Sequence, residues 1–376
     1  SRGLGDVYKR QGMQYDLAEF ALKMVAPNNK LIYDDKGIPS VMVYVPKFKM
    51  SDVIDGAGDS THPAFIVNGK EVPGIWISKY QNIVNNGRAY SLPGQDPTVN
   101  ITWDTARGYC ESKGKGWHMM TKAEWAAIML WCKKNGFQPW GNNNYGKDSR
   151  ETLQQAIPAT YGSDGKINHV LTGTGPLTWS HNKQLDGIWD LNGNVSEWTG
   201  ALRTVKGELQ LLENNNGANS DNPQTATSTA WKAIDATTGA FITPDGNGTT
   251  ANSIKIDKAG AGGAQWCKTI TTKSADFNCA LGALTCSADI ADAAKAVLRA
   301  YGLLPVDGAK TSDYDDDRLW FNNEADERLF FSGGGYYGTG TGAGVGYGYG
   351  TWANRGYVNV SVGWRSAYVD LESVGL

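Results

Sequence analysis

The eighteen-residue run Gly333–Gly350 constrains the fold of this chain more than any other segment. It contains ten Gly, four Tyr, two Thr, one Ala and one Val, and none of its residues is charged. Glycine loses more backbone freedom on ordering than any other residue, so the run favours loops and turns over a helix or a continuous strand. It is bracketed by core-like segments, Leu329–Phe331 before it and an alternating valine stretch after it. We therefore expect a long loop held in place by patterned strands.

Bulk composition excludes several classes of protein. The 376 residues carry a net charge of −3 with a pI near 5.9, which argues against a nucleic-acid partner because such a partner requires a basic surface. No apolar run approaches the ~20 residues that a transmembrane helix needs, so membrane insertion is not expected. The first residues lack the apolar region of a secretory signal peptide. Residues 1–12 resemble a non-native leader ahead of Met13 and are left out of the fold prediction.

Periodicity predicts four helices. The clearest one covers 121–136, where Thr121 and Glu124 form a capping box and Gly136 suits the position after the last turn. Thr102 is placed to cap a second helix that ends near residue 114. The other two predicted helices cover 14–25 and 287–302.

Alternation predicts strands at 39–48, 74–84 and 357–362. In the last of these, Val358, Val360 and Val362 are expected to face the core. The residues between them, Tyr357, Asn359 and Ser361, are then expected to face solvent.

The spacing of the cysteines and histidines does not predict a metal site or a reactive thiol. Five cysteines without a signal peptide suggest mostly reduced thiols, and Cys110 and Cys132 lie on apolar helix faces. One disulfide within the set Cys267, Cys279 and Cys286 is an alternative at this point. The same three residues lack the spacing of a zinc site. The four histidines have no iron-binding spacing. No metal site or cofactor is predicted. The acidic run 313–318 offers oxygen ligands for a Ca²⁺ ion, and the alternative interpretation is a solvated acidic loop.

The segment DLNGNVSEW at 190–198 resembles the motif of the formylglycine-generating-enzyme and sulfatase-modifying superfamily. The segments ISKYQNIV, ITWDTARGYC, TKAEWAAI and the closing GWRSAYV are similar to that family's other motifs, in the family's order. The resemblance implies an α+β, loop-rich fold of the C-type-lectin-like class. Residues 13–200 and 326–376 would form this domain, and the Asn-, Thr- and Gly-rich stretch 201–325 would be a large insertion. Within the motif, Asp190, Asn194, Glu197 and Trp198 would hold a structural turn.

Enzymatic members of that family use paired cysteines shortly before the closing Gly-Phe-Arg. Between Phe331 and Trp364 this chain has no Cys and no His. The resemblance therefore implies the scaffold without the enzymatic activity, because the thiolate that would do the chemistry is missing.

The tail RLFFSGGGYY…AGV…GWRSAYV resembles the variable proteins of diversity-generating retroelements, in particular those of gut Bacteroides phages and prophages. Tyr, Ser, Gly and Asn with occasional Trp and Arg is also the composition of a paratope. The resemblance implies a hypervariable ligand-binding protein on a virion surface or a bacterial cell surface, with a protein or glycan on a host cell as its partner. The expected variable surface comprises Gly335, Tyr337, Gly338, Gly342, Gly346, Tyr347, Gly348, Tyr349, Gly350, Thr351, Trp352, Asn354, Arg355, Gly356, Tyr357, Asn359 and Ser361.

Three alternatives stay open at this point. The chain could be a fixed carbohydrate-binding or structural virion module, since aromatic faces stack on sugars. It could be an enzyme of the sulfatase-modifying or iron-oxidase type, which the missing ligands oppose. Finally, the Gly-rich run could be a structural loop whose aromatic residues pack inward.

Overall fold

The structure is a computed structural model that describes residues 17–332 and 334–376. The suggested leader, residues 1–12, and the start of the helix predicted at 14–25 lie outside the described residues. The helices are α1 (17–25), α2 (Met50–Val53), α3 (Trp103–Glu111), α4 (Lys122–Lys134) and α5 (Asp292–Ala300).

The strands are many and short. In chain order they are β1 (Asn29–Tyr33), β2 (Pro39–Pro46), β3 (Ile66–Val67), β4 (Lys70–Glu71), β5 (Gly74–Ser78), β6 (Ile83–Asn85), β7 (Arg88–Tyr90), β8 (Trp117–Met119), β9 (Ser196–Trp198), β10 (Leu202–Val205), β11 (Glu208–Leu211), β12 (Lys232–Ile234), β13 (Phe241–Ile242), β14 (Lys255–Asp257), β15 (Gln265–Cys267), β16 (Phe277–Ala280), β17 (Thr285–Cys286), β18 (Arg318–Phe321), β19 (Phe331–Ser332), β20 (Gly348–Tyr349), β21 (Val362–Trp364) and β22 (Ser366–Tyr368). The fold is therefore mixed α and β, mostly sheet and rich in loops.

Local capping signals placed two helices correctly. In α4 the Thr121 hydroxyl accepts from the Glu124 amide and the Glu124 carboxylate accepts from the Thr121 amide, which confirms the predicted capping box. In α3 the Thr102 side chain accepts from the Thr105 amide. Both helices were predicted to within three residues at each end.

A five-stranded antiparallel sheet in the order β1-β2-β5-β22-β8 forms one side of the scaffold. The strand predicted at 39–48 is confirmed as β2. The strand predicted at 74–84 is shorter than expected, because β5 ends at Ser78 and the chain then turns away from the sheet. This turn places the buried Gln81 amide against the backbone carbonyls of Asp190, Gly193 and Val195.

A six-stranded sheet in the order β16-β18-β20-β19-β9-β21 brings distant parts of the chain together. Its strand β9 comes from the 190–198 motif, whereas β19, β20 and β21 come from the tail. The tail strands thus pair directly with the motif, with β19 antiparallel to β9 and β21 parallel to it.

The segment 201–325 forms a seven-stranded sheet, consisting of β13-β12-β11-β14-β15-β17 with β10 paired to β11. Its buried side chains belong to the same hydrophobic cluster as those of β5 and α4. The segment also supplies β16 and β18 to the six-stranded sheet. A buried contact between His62 Nε2 and the Ala300 carbonyl, at 3.0 Å, ties α5 to the first part of the chain.

Across 17–332 and 334–376, none of the helices combines the length and the apolar character required to cross a bilayer.

Candidate functional site

A cleft of about 580 Å³ opens beside the six-stranded sheet. Aromatic rings, hydroxyl groups and one carboxamide line it, and no charged side chain does. Clefts of this size with a few placed polar groups are typical of ligand sites. We call it the aromatic cleft; it is lined by Ser196, Trp320, Phe331, Tyr336, Tyr337, Gly338, Thr339, Tyr347, Tyr349, Tyr357, Asn359, Ser361 and Val362.

Phe331 of β19 organises the floor of the cleft. Its ring is stacked on Tyr349 with a centroid distance of 5.6 Å and an interplanar angle of 4°. The Trp198 ring packs against it edge-on at 4.3 Å. Strand register explains both contacts, because Phe331 lies opposite Tyr349 on β20 and opposite Trp198 on β9. Side chains directly opposite each other on paired strands are close neighbours, so the sheet itself fixes the floor.

Tyr336 and Tyr337 form one wall of the cleft. Their rings meet edge-on at 5.0 Å. The Tyr337 amide donates to the Asn194 carbonyl at 3.1 Å, and its carbonyl accepts from the Tyr145 amide at 2.8 Å. The motif at 190–198 therefore positions this wall through backbone hydrogen bonds.

Residues 357–361 form the opposite edge, and here the sequence-based prediction was wrong. The strand begins only at Val362, and the residues before it form a loop and a turn. Val358 and Val360 are 46% and 55% exposed instead of buried, whereas Val362 is buried. The polar and aromatic residues between them are half-buried and line the cleft.

A side-chain-closed turn explains this reversal. The Asn359 Oδ1 atom accepts hydrogen bonds from the Ser361 amide at 2.9 Å and the Ser361 hydroxyl at 2.8 Å. Asn commonly stabilises turns in this way, in competition with an extended strand. His169 holds the turn from outside, with Nε2 2.8 Å from the Val360 carbonyl and Nδ1 2.8 Å from Asp96.

A buried ion pair lies behind the floor. Glu197 and Arg365 are fully buried, and Arg365 Nε and Nη2 donate to the two Glu197 oxygens at 2.7 Å each. The guanidinium also donates to the carbonyls of Ser78, Trp189 and Asp190. Such a bidentate pair with its remaining donors satisfied fixes the geometry of the chain segments it joins.

The other motif residues are buried and hold the turn. The Asn194 amide donates to Gln81 Oε1 at 2.9 Å, and Trp198 Nε1 donates to the Ile101 carbonyl at 2.8 Å. Asp190 accepts from the Gly173 amide at 2.9 Å, and burial raises the pKa of its carboxyl to about 6.

The structure brings seven of the seventeen expected surface residues together in the aromatic cleft. These are Tyr337, Gly338, Tyr347, Tyr349, Tyr357, Asn359 and Ser361. Two of them, Tyr337 and Tyr347, are buried, so the expectation that they face solvent is not met. Three others are exposed but lie outside the cleft, namely Trp352, Asn354 and Gly356. The remaining seven are not free surface positions.

Six of those seven are buried, so the expectation that they face solvent is not met. They are Gly335, Gly342, Gly346, Gly348, Gly350 and Thr351. At four of them a Cβ atom would collide with a neighbour. It would lie 2.5 Å from Thr339 at Gly335, 2.7 Å from Leu281 at Gly346, 2.8 Å from Leu319 at Gly348 and 2.6 Å from the Phe330 ring at Gly350. Close packing, which sequence composition does not reveal, therefore explains much of the glycine content.

Two glycines in this run allow a matched test of that packing. Gly346→Ala should lower the free energy of unfolding by about 1–3 kcal/mol, the usual cost of overpacking a core. Its Cβ would lie 2.8 Å from the Asp317 carboxylate as well as against Leu281. Gly342→Ala is the control, because its Cβ would meet only the flexible Arg318 side chain, at 3.3 Å. Urea denaturation of both variants measures the difference, and equal stabilities would contradict the packing argument.

Arg355, the seventh, is occupied by internal contacts. Its guanidinium donates to both oxygens of Glu327, at 2.7 and 3.0 Å, to Asp104 at 2.9 Å and to the Gln224 carbonyl at 2.9 Å. It also lies 5.0 Å from the centroid of the Trp103 ring. These contacts join the tail to α3 and, through Gln224, to the 201–325 segment, and they leave Arg355 little freedom to meet a ligand.

Six lining residues were missed from the sequence, namely Ser196, Trp320, Phe331, Tyr336, Thr339 and Val362. Tyr336 could have been found from its place beside Tyr337. Phe331 carried a core-like pattern, and it is indeed almost fully buried although it contributes to the lining of the cleft. No local signal marks Trp320, which reaches the cleft through the parallel pairing of β18 and β20.

The cleft presents hydrogen-bond donors at neutral pH. Burial raises the pKa of Tyr349 to about 12 and also raises the pKa values of Tyr336, Tyr337 and Tyr347. Their hydroxyl groups therefore stay protonated and can donate as well as accept. An uncharged ligand with hydroxyl or amide groups and an apolar face suits such a lining.

The cleft lacks the side chains that thiol chemistry or metal binding would require. All five cysteines are free, none lines the cleft, and burial raises the pKa of every thiol. The lining also lacks imidazole and carboxylate groups, so it does not fit a thiolate-bound metal centre. Elsewhere in the described ranges, no three His, Cys, Asp or Glu side chains are grouped to hold a metal ion.

The chain belongs to the family described as the sulfatase-modifying factor enzyme 1-like domain, which it matches over residues 32–239, more than half of its length. This match contains the motif turn and β9, but it ends before the tail that lines most of the cleft.

Two curated relatives support the assignment. The chain is 31% identical to the inactive C-alpha-formylglycine-generating enzyme 2 of Bos taurus over 103 residues, which are 27% of this chain and 32% of the relative. It is 29% identical to the formylglycine-generating enzyme of Mus musculus over 127 residues, which are 33% of this chain and 32% of the relative. The chain thus spans about a third of the length of these relatives.

Two solved structures are distantly similar. The structure of PvdO from Pseudomonas aeruginosa aligns with 90% of this chain and 98% of its own, at 14% identity and a TM-score of 0.30. The Major Tropism Determinant P3c variant aligns with 88% of this chain and 63% of its own, at 7% identity and a TM-score of 0.28.

Proposed function

We propose that this chain is a ligand-binding protein in which the aromatic cleft stands where enzymatic relatives carry out catalysis, and that the chain itself is not an enzyme. We infer a C-type-lectin-like scaffold of the formylglycine-generating-enzyme subtype, with 201–325 as an insertion. One observation carries the proposal. Seven tail positions that were expected in the variable surface from composition, alternation and the family resemblance line a single uncharged, aromatic-lined cleft.

The tail's resemblance to variable proteins of diversity-generating retroelements adds the second part of the proposal. The cleft-lining residues on the loops of the tail would differ between copies of the gene, while the strands that form the floor stay constant. The partner would be a protein or a glycan on a host cell, and the protein would act on a virion surface or a bacterial cell surface.

The division between floor and rim supports this arrangement. Phe331 and Trp198 belong to paired strands, whereas Gly338, Tyr357, Asn359 and Ser361 lie on loops. Substitutions on such loops leave the sheet hydrogen bonds intact. Large rigid tyrosines also give contact area at a low entropy cost.

Deep sequencing of the tail across a population that carries this gene tests the variability directly. We expect amino-acid changes to concentrate at the rim positions Gly338, Tyr357, Asn359 and Ser361. Gly346, Gly348 and Gly350 are the internal control, because their Cβ atoms would collide with the core. An invariant tail would overturn the variability and would favour a fixed module that binds neutral glycans, as the stacked floor of Phe331 and Tyr349 allows.

A binding measurement tests the cleft itself. Tyr357→Ala should weaken binding by about 2 kcal/mol, or roughly thirtyfold, if Tyr357 is an anchoring residue of the cleft. The labelled protein would be applied to an array of neutral glycans and to intact gut Bacteroides cells. Tyr161→Ala is the matched control, because Tyr161 is 63% exposed and lies outside the cleft. Equal losses in both variants, or no loss in either, would place the binding site elsewhere.

A further inference from the structure

His169 contacts both edges of the aromatic cleft, although it is not part of the lining. Its ring meets the Tyr337 ring edge-on at 5.6 Å on one wall, and its Nε2 atom lies 2.8 Å from the Val360 carbonyl on the opposite edge. The side chain is buried and its backbone is anchored, because the His169 amide donates to Thr160 Oγ1 at 3.0 Å and the Ala159 amide donates to the His169 carbonyl at 2.8 Å. The backbone position of this histidine is therefore fixed by residues outside the tail.

Both ring nitrogens of His169 face oxygen acceptors. Besides the contact to Val360, Nδ1 lies 2.8 Å from Oδ1 of Asp96, whose side chain is 43% exposed. A backbone carbonyl and an ionised carboxylate can only accept, so both contacts are hydrogen bonds only when both nitrogens carry a hydrogen atom. Neutral imidazole has one N–H group and imidazolium has two. The arrangement therefore suits the protonated ring.

Two of the other histidines have the opposite arrangement. His62 and His181 each accept a hydrogen bond from a backbone amide at Nδ1, at 3.1 and 2.9 Å, which suits a neutral ring. Burial lowers the pKa of His62 to about 3 and that of His181 to about 4. His118 does lie between two acceptors, but it belongs to β8 of the five-stranded sheet. The double-acceptor arrangement at the cleft is thus particular to His169.

The turn at 359–361 depends on this imidazole at one point. The carbonyls of Asn359 and Ser361 accept from backbone amides, at 3.1 and 2.8 Å, and those amides do not titrate. Among the described residues, the Val360 carbonyl has no donor other than His169 Nε2. Loss of the Nε2 hydrogen would therefore free the middle of the turn while its two neighbours stay anchored.

Charge decides which contact survives when the ring loses a proton. A hydrogen bond to an ionised acceptor is stronger than one to a neutral acceptor, so the remaining hydrogen stays on Nδ1, toward Asp96. The Nε2 lone pair then faces the Val360 carbonyl oxygen, and the two repel each other. The neighbouring titratable groups do not alter this outcome. Asp164 and Lys166 pair with each other at 3.4 Å, and burial raises the pKa of the Tyr337 phenol, which stays neutral.

We propose that His169 and Asp96 form a proton-dependent latch on the aromatic cleft. The latch holds the turn at Val360 while the imidazole is protonated and releases it when the proton leaves. Because Asn359 and Ser361 line the cleft, a ligand that contacts them is bound more tightly on the acidic side of this titration. This last consequence rests on the proposed binding function of the cleft, whereas the latch itself requires no ligand.

Nuclear magnetic resonance of the full chain without ligand tests the latch. The ring nitrogens of His169 and the backbone amide of Ser361 would be followed from about pH 5 to about pH 8.5, which includes the range in which imidazole ordinarily changes charge. We expect the two sets of signals to move with one common midpoint. Above that midpoint Nε2 should show the signal of a nitrogen without hydrogen, and Nδ1 should keep its hydrogen.

Asp96→Asn separates the latch from a purely structural role of His169. The new carboxamide can donate to Nδ1, so a neutral ring can keep its hydrogen on Nε2 and hold Val360. The Ser361 amide should then keep its low-pH signal over the whole range. Asp164→Asn is the matched control, because Asp164 is a similarly exposed aspartate near His169 in sequence, and its pH response should equal that of the unaltered chain.

The latch is refuted if the Ser361 amide does not follow the His169 titration, if Nδ1 loses its hydrogen instead of Nε2, or if Asp96→Asn and Asp164→Asn behave alike. Such results would leave the binding function of the cleft intact, since no ligand takes part in the measurement. Conversely, a cleft that binds no ligand while the Ser361 amide titrates as expected would refute the proposed function and leave the latch in place.

Discussion

Replacing Glu197 with alanine should lower the free energy of unfolding by about 3–5 kcal/mol, since the substitution leaves a buried guanidinium without its counter-charge. Arg365 would keep its bonds to three backbone carbonyls, but both carboxylate oxygens that it contacts at 2.7 Å would be gone. Gln81 would also lose an acceptor, because its amide lies 3.0 Å from Glu197 Oε1. Denaturant unfolding followed by tryptophan fluorescence measures the change.

The surface pair Lys47–Glu71 provides the control. Its atoms are 2.8 Å apart, much like the buried pair, but both side chains are about half exposed. Glu71→Ala should leave the unfolding midpoint unchanged within error, because water screens and replaces exposed ion pairs. A Glu197→Ala protein as stable as the Glu71→Ala protein would refute a structural role for the buried pair.

Trp198→Ala is expected to cost about 3–5 kcal/mol, the usual effect of removing a large buried aromatic side chain. Trp198 is fully buried, packs edge-on against Phe331 and donates to the Ile101 carbonyl. The variant should therefore unfold at a lower denaturant concentration and also disturb the floor of the aromatic cleft. Both effects are measurable, by urea titration and by ligand binding below the unfolding transition.

Trp352→Ala is the matched control for that experiment. Trp352 is 57% exposed and lies outside the cleft, so its removal should change the stability by less than roughly 0.5 kcal/mol. If both tryptophan variants proved equally stable, the packing described around Phe331 would be wrong.

Helices with strong local signals were predictable from the sequence. The capping box of Thr121 and Glu124 and the cap at Thr102 depend on residues three positions apart, so they could be recognised before any tertiary contact was known. The motif at 190–198 was likewise recognisable as a compact turn. What local sequence could not give was the partner of Glu197, because Arg365 lies 168 residues further along the chain.

The tail was predicted only in part, for two physical reasons. The alternating valines suggested a strand, but the Asn359 carboxamide closes a turn there and the contact to His169 holds it. Glycine content suggested a loop that faces solvent, whereas a side chain at Gly346 or Gly350 would collide with Asp317 or Phe330. The contact to His169 and the packing against Asp317 and Phe330 involve residues distant in sequence, which periodicity and composition do not report.

The order of the last strands has a genetic consequence. Strands β21 and β22 are encoded after the Gly-rich tract, and β22 lies between β5 and β8 in the five-stranded sheet. A frameshift or a stop codon within the tract would remove β22, separate β8 from the rest of the sheet and delete Arg365 from beside Glu197. Damaged gene copies would thus yield chains that fail to fold and are degraded, whereas in-frame changes at the rim would yield intact proteins. Correct folding of the five-stranded sheet therefore depends on an intact reading frame through the tract.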